Sequence, residues 1–319
     1  MSKAPDTGLI RDLAIHGGFL LLLLVLHFVL PAYFHGTVAR IMVLAVYAMA
    51  YNIMFGYTGL LSLGHALFFS AGMYGFGLTM HLLDFSAGPA LICGALSALI
   101  VSLVVGLLAL RTTGVALMIV TLMFAQAGFL TILYFGAYTR GDEGIVIQQA
   151  ERVLLGFDLS DEDNRYLAAL ALFSVTLLAT LALVRAPFGH VLVAIRENEQ
   201  RAFMLGYDVA RYKLIAFVIS GTLSGIAGAA YGLLFGYVGA TFASVQYSIL
   251  PLLWVLLGGA GTVLGPFVGT VFMTYLIDVS SGFTSAYMVV AGVALVLVTV
   301  FARQGITGEF RRRIMPSLP

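Results

Sequence analysis

Long apolar runs separated by short polar segments extend along the whole sequence. A helix needs about 20 predominantly apolar residues to cross the hydrocarbon core of a bilayer. We therefore predict an all-α integral membrane protein, a polytopic bundle of about ten transmembrane helices. The predicted spans lie near 13–34, 38–55, 60–83, 89–110, 114–137, 166–185, 213–236, 246–258, 263–280 and 284–302.

The eighth and ninth runs are short, and glycine-rich sequence separates them. They form either two spans or one re-entrant pair, which enters and leaves the membrane on the same side. Glycine-broken or re-entrant backbone is tolerated at membrane depth only where protein buries it or where it lines a polar cavity. Eight or ten spans both leave the two chain ends on the same side.

Arginine and lysine predict the orientation, because cytoplasmic loops of membrane proteins are enriched in them. Basic residues concentrate in the segment 185–213 and in the C-terminal tail, whereas the longest loop on the opposite side is acidic. We therefore predict that both termini lie in the cytoplasm (N-in/C-in). The predicted divisions are a cytoplasmic N-terminal tail at 1–12, a single transmembrane domain at 13–303 with a periplasmic loop at 138–165 and a cytoplasmic loop at 186–212, and a cytoplasmic C-terminal tail at 304–319.

Composition supports the membrane assignment. Apolar residues (AVILMFWYC) make up 61% of the 319 residues and charged residues only 10%, whereas about a quarter of an ordinary soluble domain is charged. The net charge of +1 provides no basic field for nucleic acid, so no nucleic-acid partner is expected. Cys93 is the only cysteine, so the chain has no internal disulfide.

Sequence motifs for chemistry are missing. A phosphate-binding loop needs G-x-x-x-x-G-K-[ST], but neither Lys3 nor Lys213 has that context. There is no paired histidine cluster and no hydrolase motif, so we predict no catalytic residues, no metal site and no cofactor. Asp84 falls in a predicted loop, and Asp278 lies near the end of the predicted ninth span. An ion-coupled carrier needs carboxylates at mid-span, so this arrangement argues against one.

Three glycine-rich stretches stand out: 56–65, a ladder of spacing four over 221–236, and 261–269. The ladder places its glycines on one helix face and predicts close helix packing. The other two stretches interrupt spans and either line a substrate path or only allow close packing. His65 is either a structural histidine bonded to a backbone carbonyl or a path residue. The candidate path residues are Asn52, Tyr57, Ser62, Gly64, His65, Gly259 and Gly261.

The segment after Pro187 carries a patterned helix on the basic side. A helix over about 191–205 places Ile195, Ala202 and Phe203 roughly on one face, and Gly206 ends it. A short helix with mixed charge and an exposed aromatic side chain is suited to docking into a groove of another protein. An ordinary positively charged loop is the alternative.

Several motifs resemble those of one transporter family. They are Gly189 followed by Ala194-Ile195-Arg196-Glu197-Asn198-Glu199-x-Arg201-Ala202, then Gly206-Tyr207-x-Val209-x-Arg211-Tyr212-Lys213, the stretch Gly56 to His65, and Val255 to Pro266. Together they resemble branched-chain amino-acid ABC transporter permeases, and the LivM-type subunit more closely. The loop segment 139–144 departs from the Gly-Gly-x-x-Gly pattern of that family.

This resemblance implies an importer complex in the bacterial inner membrane. Its other members would be a second permease subunit, giving a heterodimer, two ABC ATPase subunits that bind the ATP, and a periplasmic substrate-binding protein, with membrane lipid around the permeases. The substrate would be a branched-chain or related amino acid; urea, an amide or an aromatic acid are alternatives, and an ion-coupled secondary carrier or an intramembrane enzyme are alternatives of another class. The residues implied in ATPase coupling are Gly189, Ala194, Arg196, Glu197, Asn198, Glu199, Arg201, Ala202, Gly206 and Arg211.

Overall fold

A computed structural model shows a bundle of long helices and describes residues 7–283, some positions within 286–300, and 305–314. The helices are α1 (Thr7–Val29), α2 (Ala32–Asn52), α3 (His65–Leu83), α4 (Ala87–Ala109), α5 (Val115–Tyr134), α6 (Gly136–Thr139), α7 (Glu162–Arg185), α8 (Pro187–Glu197), α9 (Glu199–Met204), α10 (Val209–Phe235), α11 (Val245–Gly258), α12 (Gly265–Ser281) and a C-terminal helix (Gly305–Ile314).

Seven of the described helices are long and apolar enough to cross a membrane: α1 to α5, α7 and α10. The prediction of an all-α polytopic membrane protein is therefore confirmed. The count of ten stays a prediction, since the span 284–302 lies largely outside the described residues. Helix α1 already begins at Thr7, within the predicted tail 1–12.

Two short antiparallel strand pairings mark one end of the bundle. Strand β1 (Ile145–Val146) pairs with β4 (Tyr237–Val238), and β2 (Val153–Leu154) pairs with β3 (Phe157–Asp158). We call this end, with the segment 136–161, the acidic face. The opposite end, with the segment 186–208, is the basic face.

Helix α2 forms the centre of the bundle. Its residues from Ile41 to Asn52 are all buried, and it packs against α7, α10, α11 and α12. Around it, α3, α4 and α10 approach one another through glycines. A Cβ atom on Gly72 would lie 1.9 Å from the carbonyl oxygen of Gly225, and one on Gly228 would lie 2.0 Å from that of Phe69. The close packing predicted for the glycine ladder is confirmed.

The second and third spans meet at a break on the basic face. Helix α2 continues as a π-helix over Ile53–Tyr57, and 58–64 are not helical. The predicted third span therefore has a helix that begins at His65 and not at 60. Gly59 allows the turn in the break, because it adopts φ +76°. The hydroxyl of Thr121 helps to hold the break, since it accepts a hydrogen bond from the backbone N–H of Leu63 at 3.2 Å.

The predicted eighth span, 246–258, is confirmed as a short helix. Helix α11 has 14 residues, a length of about 21 Å, which is shorter than the hydrocarbon core of about 30 Å. It begins deep in the bundle, where the backbone N–H of Ala66 donates to the hydroxyl of Ser248 at 3.0 Å. The chain reaches that depth through the 3-10 turn Ala240–Ala243, whose Phe242 lies beside Phe69. A short strand and a 3-10 turn, and not a continuous helix, therefore connect α10 to α11.

The C-terminal helix covers a second break, between α11 and α12. The hydroxyl of Thr307 donates to the carbonyl oxygen of Gly258 and lies 3.1 Å from the hydroxyl of Thr262. Gly305 adopts φ +74°, and a Cβ atom there would lie 2.5 Å from the Cα of Gly259. Part of the segment predicted as a tail, 304–319, is therefore a packed helix.

Candidate coupling site on the basic face

The segment predicted to dock leaves α7 through a tight turn. Pro187 occupies the first turn of α8, where its fixed φ is compatible with a helix and its missing N–H leaves no hydrogen bond unmade. Gly189 follows, and a Cβ atom on it would lie 2.3 Å from the carbonyl oxygen of Val184. Only glycine therefore lets α8 fold back so closely on the end of α7. Val191, Leu192 and Ile195 form its buried side.

The predicted single helix over 191–205 is wrong, because the chain breaks at Asn198. This residue adopts an extended conformation (φ −159°), and its side-chain oxygen accepts a hydrogen bond from the backbone N–H of Arg201 at 2.9 Å. Asn198 is therefore an N-cap that starts a second helix, α9. The predicted stop is confirmed: α9 ends at Met204, and Gly206 adopts φ +90°.

The tip of this helix pair is apolar and exposed. Phe203, Met204 and Leu205 are 70%, 83% and 71% exposed, whereas Ile195 and Ala202 are buried and pack with Val209. The predicted shared face is therefore divided, since Phe203 points away from the other two. The charged coupling candidates are all exposed around this tip: Arg196, Glu197, Glu199, Arg201 and Arg211.

Arg196 connects the surface segment to both glycine breaks. Its Nη1 atom donates to the carbonyl oxygen of Gly56. Its aliphatic part lies against Gly59, where a Cβ atom would be 2.7 Å from Cγ of Arg196, and its guanidinium lies against Gly261, where a Cβ atom would be 3.0 Å from Nη1. Arg196 therefore links the end of α8 to the two interruptions.

Asn52 joins the two breaks to each other. Its side-chain oxygen accepts from the backbone N–H of Gly261 at 2.9 Å, and its side-chain NH₂ donates to the carbonyl oxygen of Thr262 at 2.8 Å. One buried amide thus satisfies two backbone groups that the interrupted helices leave without partners. A Cβ atom on Gly56 would lie 2.5 Å from the backbone nitrogen of Gly261, so the two breaks are in direct contact.

The structure brings the remaining candidate path residues together behind this contact. His65 is fully buried, and its Nε2 lies 2.9 Å from the hydroxyl of Ser220, which itself donates to the carbonyl oxygen of Ala50 at 2.6 Å. His65 thus makes a structural hydrogen bond, but to a hydroxyl and not to a carbonyl. The other candidates are also enclosed by the chain: Asn52, Tyr57, Ser62, Gly64 and Gly259 are buried and Gly261 is partly buried.

Sequence reasoning missed an ion pair at the base of the site. Lys213, which is 11% exposed at its side chain, donates to Glu199 at 2.5 Å. The pair ties the start of α9 to the first turn of α10. A cleft of about 580 Å³ opens beside it, lined by residues that include Leu110, Phe203 and Lys213. An ion pair within one helix can be recognised in a sequence from opposite charges four residues apart. This pair joins two helices, so no such spacing indicated it.

Comparison with known proteins agrees with this geometry. The model of a family described as "Branched-chain amino acid transport system / permease component" matches residues 33–299. The chain belongs to this family. It is a transport subunit of an ATP-binding-cassette importer and a multi-pass protein of the inner membrane. The match covers both breaks and the whole coupling segment.

Relatives within the family differ in their named substrates. The chain is 29% identical to the high-affinity branched-chain amino acid transport permease LivM of Escherichia coli over 288 positions, covering 83% of this chain and 68% of the relative. It is 26% identical to the probable permease LivH of Methanocaldococcus jannaschii, covering 73% and 76%. It is 33% identical over 100 residues to the autoinducer 2 permease LsrC of Klebsiella pneumoniae, covering 30% and 29%. No solved structure gives a significant match.

Proposed function

We propose that the chain forms one half of the translocation path of an importer for branched-chain amino acids, paired with a second, different permease subunit. The similarity to LivM, over 83% of this chain and 68% of that protein, supports this substrate. The similarity to LsrC is confined to about a third of the chain, so it supports the substrate in that relative's name, autoinducer 2, less well. Urea, an amide or an aromatic acid stay alternatives.

The observation that carries the proposal is the position of Arg196. It lies on the exposed segment, yet its guanidinium contacts both Gly56 and Gly261. Two ATPase subunits bind and hydrolyse the ATP. When they close on ATP, they draw the docked helices of the two permease subunits, here α8 and α9, toward each other. Because Arg196 links α8 to the breaks, that movement displaces the backbone where α2 meets α3 and where α11 meets α12. The path then opens alternately to the two sides of the membrane.

The exposed tip supplies the docking surface for the ATPase subunit. Phe203, Met204 and Leu205 present contiguous apolar area, and isolated surfaces of this kind mark binding sites. The surrounding Glu197, Arg201 and Arg211 orient the tip in the groove, since charged rims fix register more than affinity. A periplasmic binding protein delivers the substrate at the opposite face.

The basic face is cytoplasmic in this proposal, so the chain is N-in/C-in with about ten spans. In this conformation the candidate path residues close the cytoplasmic end of the path, and we call this closure the inner gate. Asn52 and His65 are buried inside the subunit, and they reach the path only when the two breaks separate. Their role is therefore to hold the gate shut as well as to line the open path.

Arg196→Gln tests the coupling in the complete transporter reconstituted in proteoliposomes. Losing a hydrogen bond from a charged group costs about 1.5–3 kcal/mol, so substrate uptake per ATP hydrolysed should fall about tenfold or more. The matched control is Arg111→Gln, an exposed arginine on the same face. Unchanged uptake per ATP in Arg196→Gln would contradict the proposal. Uptake by the purified chain without ATPase subunits would instead indicate an ion-coupled carrier.

A further inference from the structure

Three metal-binding side chains from three helices meet at the acidic face. His27 lies near the end of α1, His35 in the first turn of α2, and Asp163 in the first turn of α7. One potential ligand atom from each residue lies within 4.8 Å of the others. The closest pair, Nδ1 of His35 and Oδ1 of Asp163, is 2.8 Å apart. This is the opposite end of the bundle from the coupling site.

Both histidines keep a buried nitrogen without a partner. Among the described residues, Nδ1 of His27 and Nε2 of His35 are inaccessible to solvent and make no hydrogen bond. His35 as a whole is only 4% exposed. Buried polar atoms are almost always paired, and those that are not call for an explanation such as an ion. The two nitrogens provide an observation that is independent of the clustering itself.

The rings are held in place by a buried tyrosine. Tyr166 stacks on His27 with ring centroids 5.1 Å apart, and its hydroxyl donates to the carbonyl oxygen of Leu23 at 2.6 Å. His27 and His35 lie with their centroids 4.9 Å apart. Arg165 lies nearby, but hydrogen bonds turn its guanidinium toward the loop carbonyl of Ser160, at 2.7 Å. Supporting contacts of this kind orient imidazole ligands in metal sites.

We propose that His27, His35 and Asp163 bind one divalent transition-metal ion of the Zn²⁺ class. Two imidazoles and a carboxylate suit Zn²⁺, Co²⁺ or Ni²⁺, whereas Mg²⁺ and Ca²⁺ prefer oxygen ligands. With bond lengths of about 2.0–2.2 Å, ligand atoms of a tetrahedral site lie about 3.3 Å apart. To reach that spacing, the 2.8 Å separation of His35 and Asp163 must lengthen slightly, and a separation near 4.8 Å must shorten by about 1.5 Å. The exposed Asp163 (side chain 60% exposed) can move to allow this.

The bound ion would fasten α1 to the bundle at the acidic face. Helix α1 is exposed along most of its length, and at its other end it is held by the ion pair between Asp12 and Arg185. A metal ion that bridges α1, α2 and α7 adds an attachment at this end, beside the hydrogen bond from Tyr166 to Leu23. Because the ion binds only where three helices meet, it stabilises the folded chain and not the unfolded one.

The test uses the full-length chain in nanodiscs, with any polyhistidine tag removed. Equilibrium dialysis against Zn²⁺, followed by mass-spectrometric metal analysis, should give one ion per chain, and Zn²⁺ but not Mg²⁺ should raise the melting temperature. His27→Gln and His35→Gln should abolish both effects. His81→Gln is the matched control, since His81 is exposed near the end of α3, and it should keep both.

Asp163→Asn covers the case in which a histidine variant fails to fold. This residue is exposed, so folding should be preserved, and the affinity for Zn²⁺ should fall about 10–100-fold. The proposal would be overturned if the wild-type chain bound no Zn²⁺. It would also be overturned if the Asp163→Asn or histidine variants bound it as tightly as the wild type, or if His81→Gln weakened binding equally.

Discussion

Asn52→Ala removes the single amide that joins the two glycine breaks. The change deletes the acceptor for the N–H of Gly261 and the donor for the carbonyl of Thr262. A buried backbone group left without a partner costs about 1–3 kcal/mol, and side-chain hydrogen bonds between membrane helices average about 0.6 kcal/mol. Taking both groups together, we expect a loss of about 2–4 kcal/mol in the free energy of unfolding.

Thermal unfolding of the purified chain in detergent measures this loss. For a chain of this size each kcal/mol lowers the melting temperature by about 2 °C, so Asn52→Ala should unfold about 4–8 °C lower. Asn164→Ala is the matched control, because Asn164 also donates to a backbone carbonyl, that of Asp158 at 2.9 Å, but at an exposed position. An exposed substitution of this kind should change stability by less than about 0.5 kcal/mol.

Equal melting temperatures for the two variants would refute the reasoning, since they would show that Asn52 does not hold the breaks together. In the complete transporter, Asn52→Ala should also raise ATP hydrolysis in the absence of substrate, because the gate opens more readily when the breaks separate. A variant that is destabilised but hydrolyses ATP at the wild-type rate would mean that the contact is structural only.

Two further predictions concern packing and docking. Gly228→Ala should destabilise the chain by about 1–3 kcal/mol, because its Cβ atom would lie 2.0 Å from the carbonyl oxygen of Phe69. Gly17→Ala, in α1 with open space around it, should leave thermal stability equal or slightly higher, and the reverse order would contradict the packing. Phe203→Ser should leave the melting temperature of the isolated chain unchanged but weaken co-purification of the ATPase subunit. Full co-purification would count against the apolar tip as the docking surface.

The uninterrupted spans were predictable because their signal is local. The predicted limits 89–110 and 166–185 differ by only a few residues from α4 (Ala87–Ala109) and α7 (Glu162–Arg185). The break at Asn198 was also visible in principle, since an asparagine followed by a short run with glutamate in its first turn is an N-cap signal. Amphipathic periodicity outweighed it in the prediction of one helix.

The discontinuous spans and the convergent sites were not predictable from local pattern. The third span was predicted to begin at 60, because apolar composition does not distinguish the enclosed, non-helical segment 58–64 from a helix. The contact of Arg196 with Gly56 joins residues 140 positions apart, and that of His35 with Asp163 joins residues 128 apart. Such pairs depend on how the helices pack, so the sequence showed the candidate residues of the coupling segment but not what they touch.

The most direct test of the account locates the coupling segment relative to the membrane. In a Cys93→Ser background, Gln200→Cys places a thiol on the exposed segment beside Phe203, and Leu155→Cys places one at the tip of the acidic-face hairpin, where Leu155 is 90% exposed. With a membrane-impermeant maleimide, intact spheroplasts should label Leu155→Cys only, and inside-out vesicles should label Gln200→Cys only. Labelling of Gln200→Cys in intact spheroplasts would contradict a cytoplasmic coupling segment and, with it, the proposed drive by ATPase subunits.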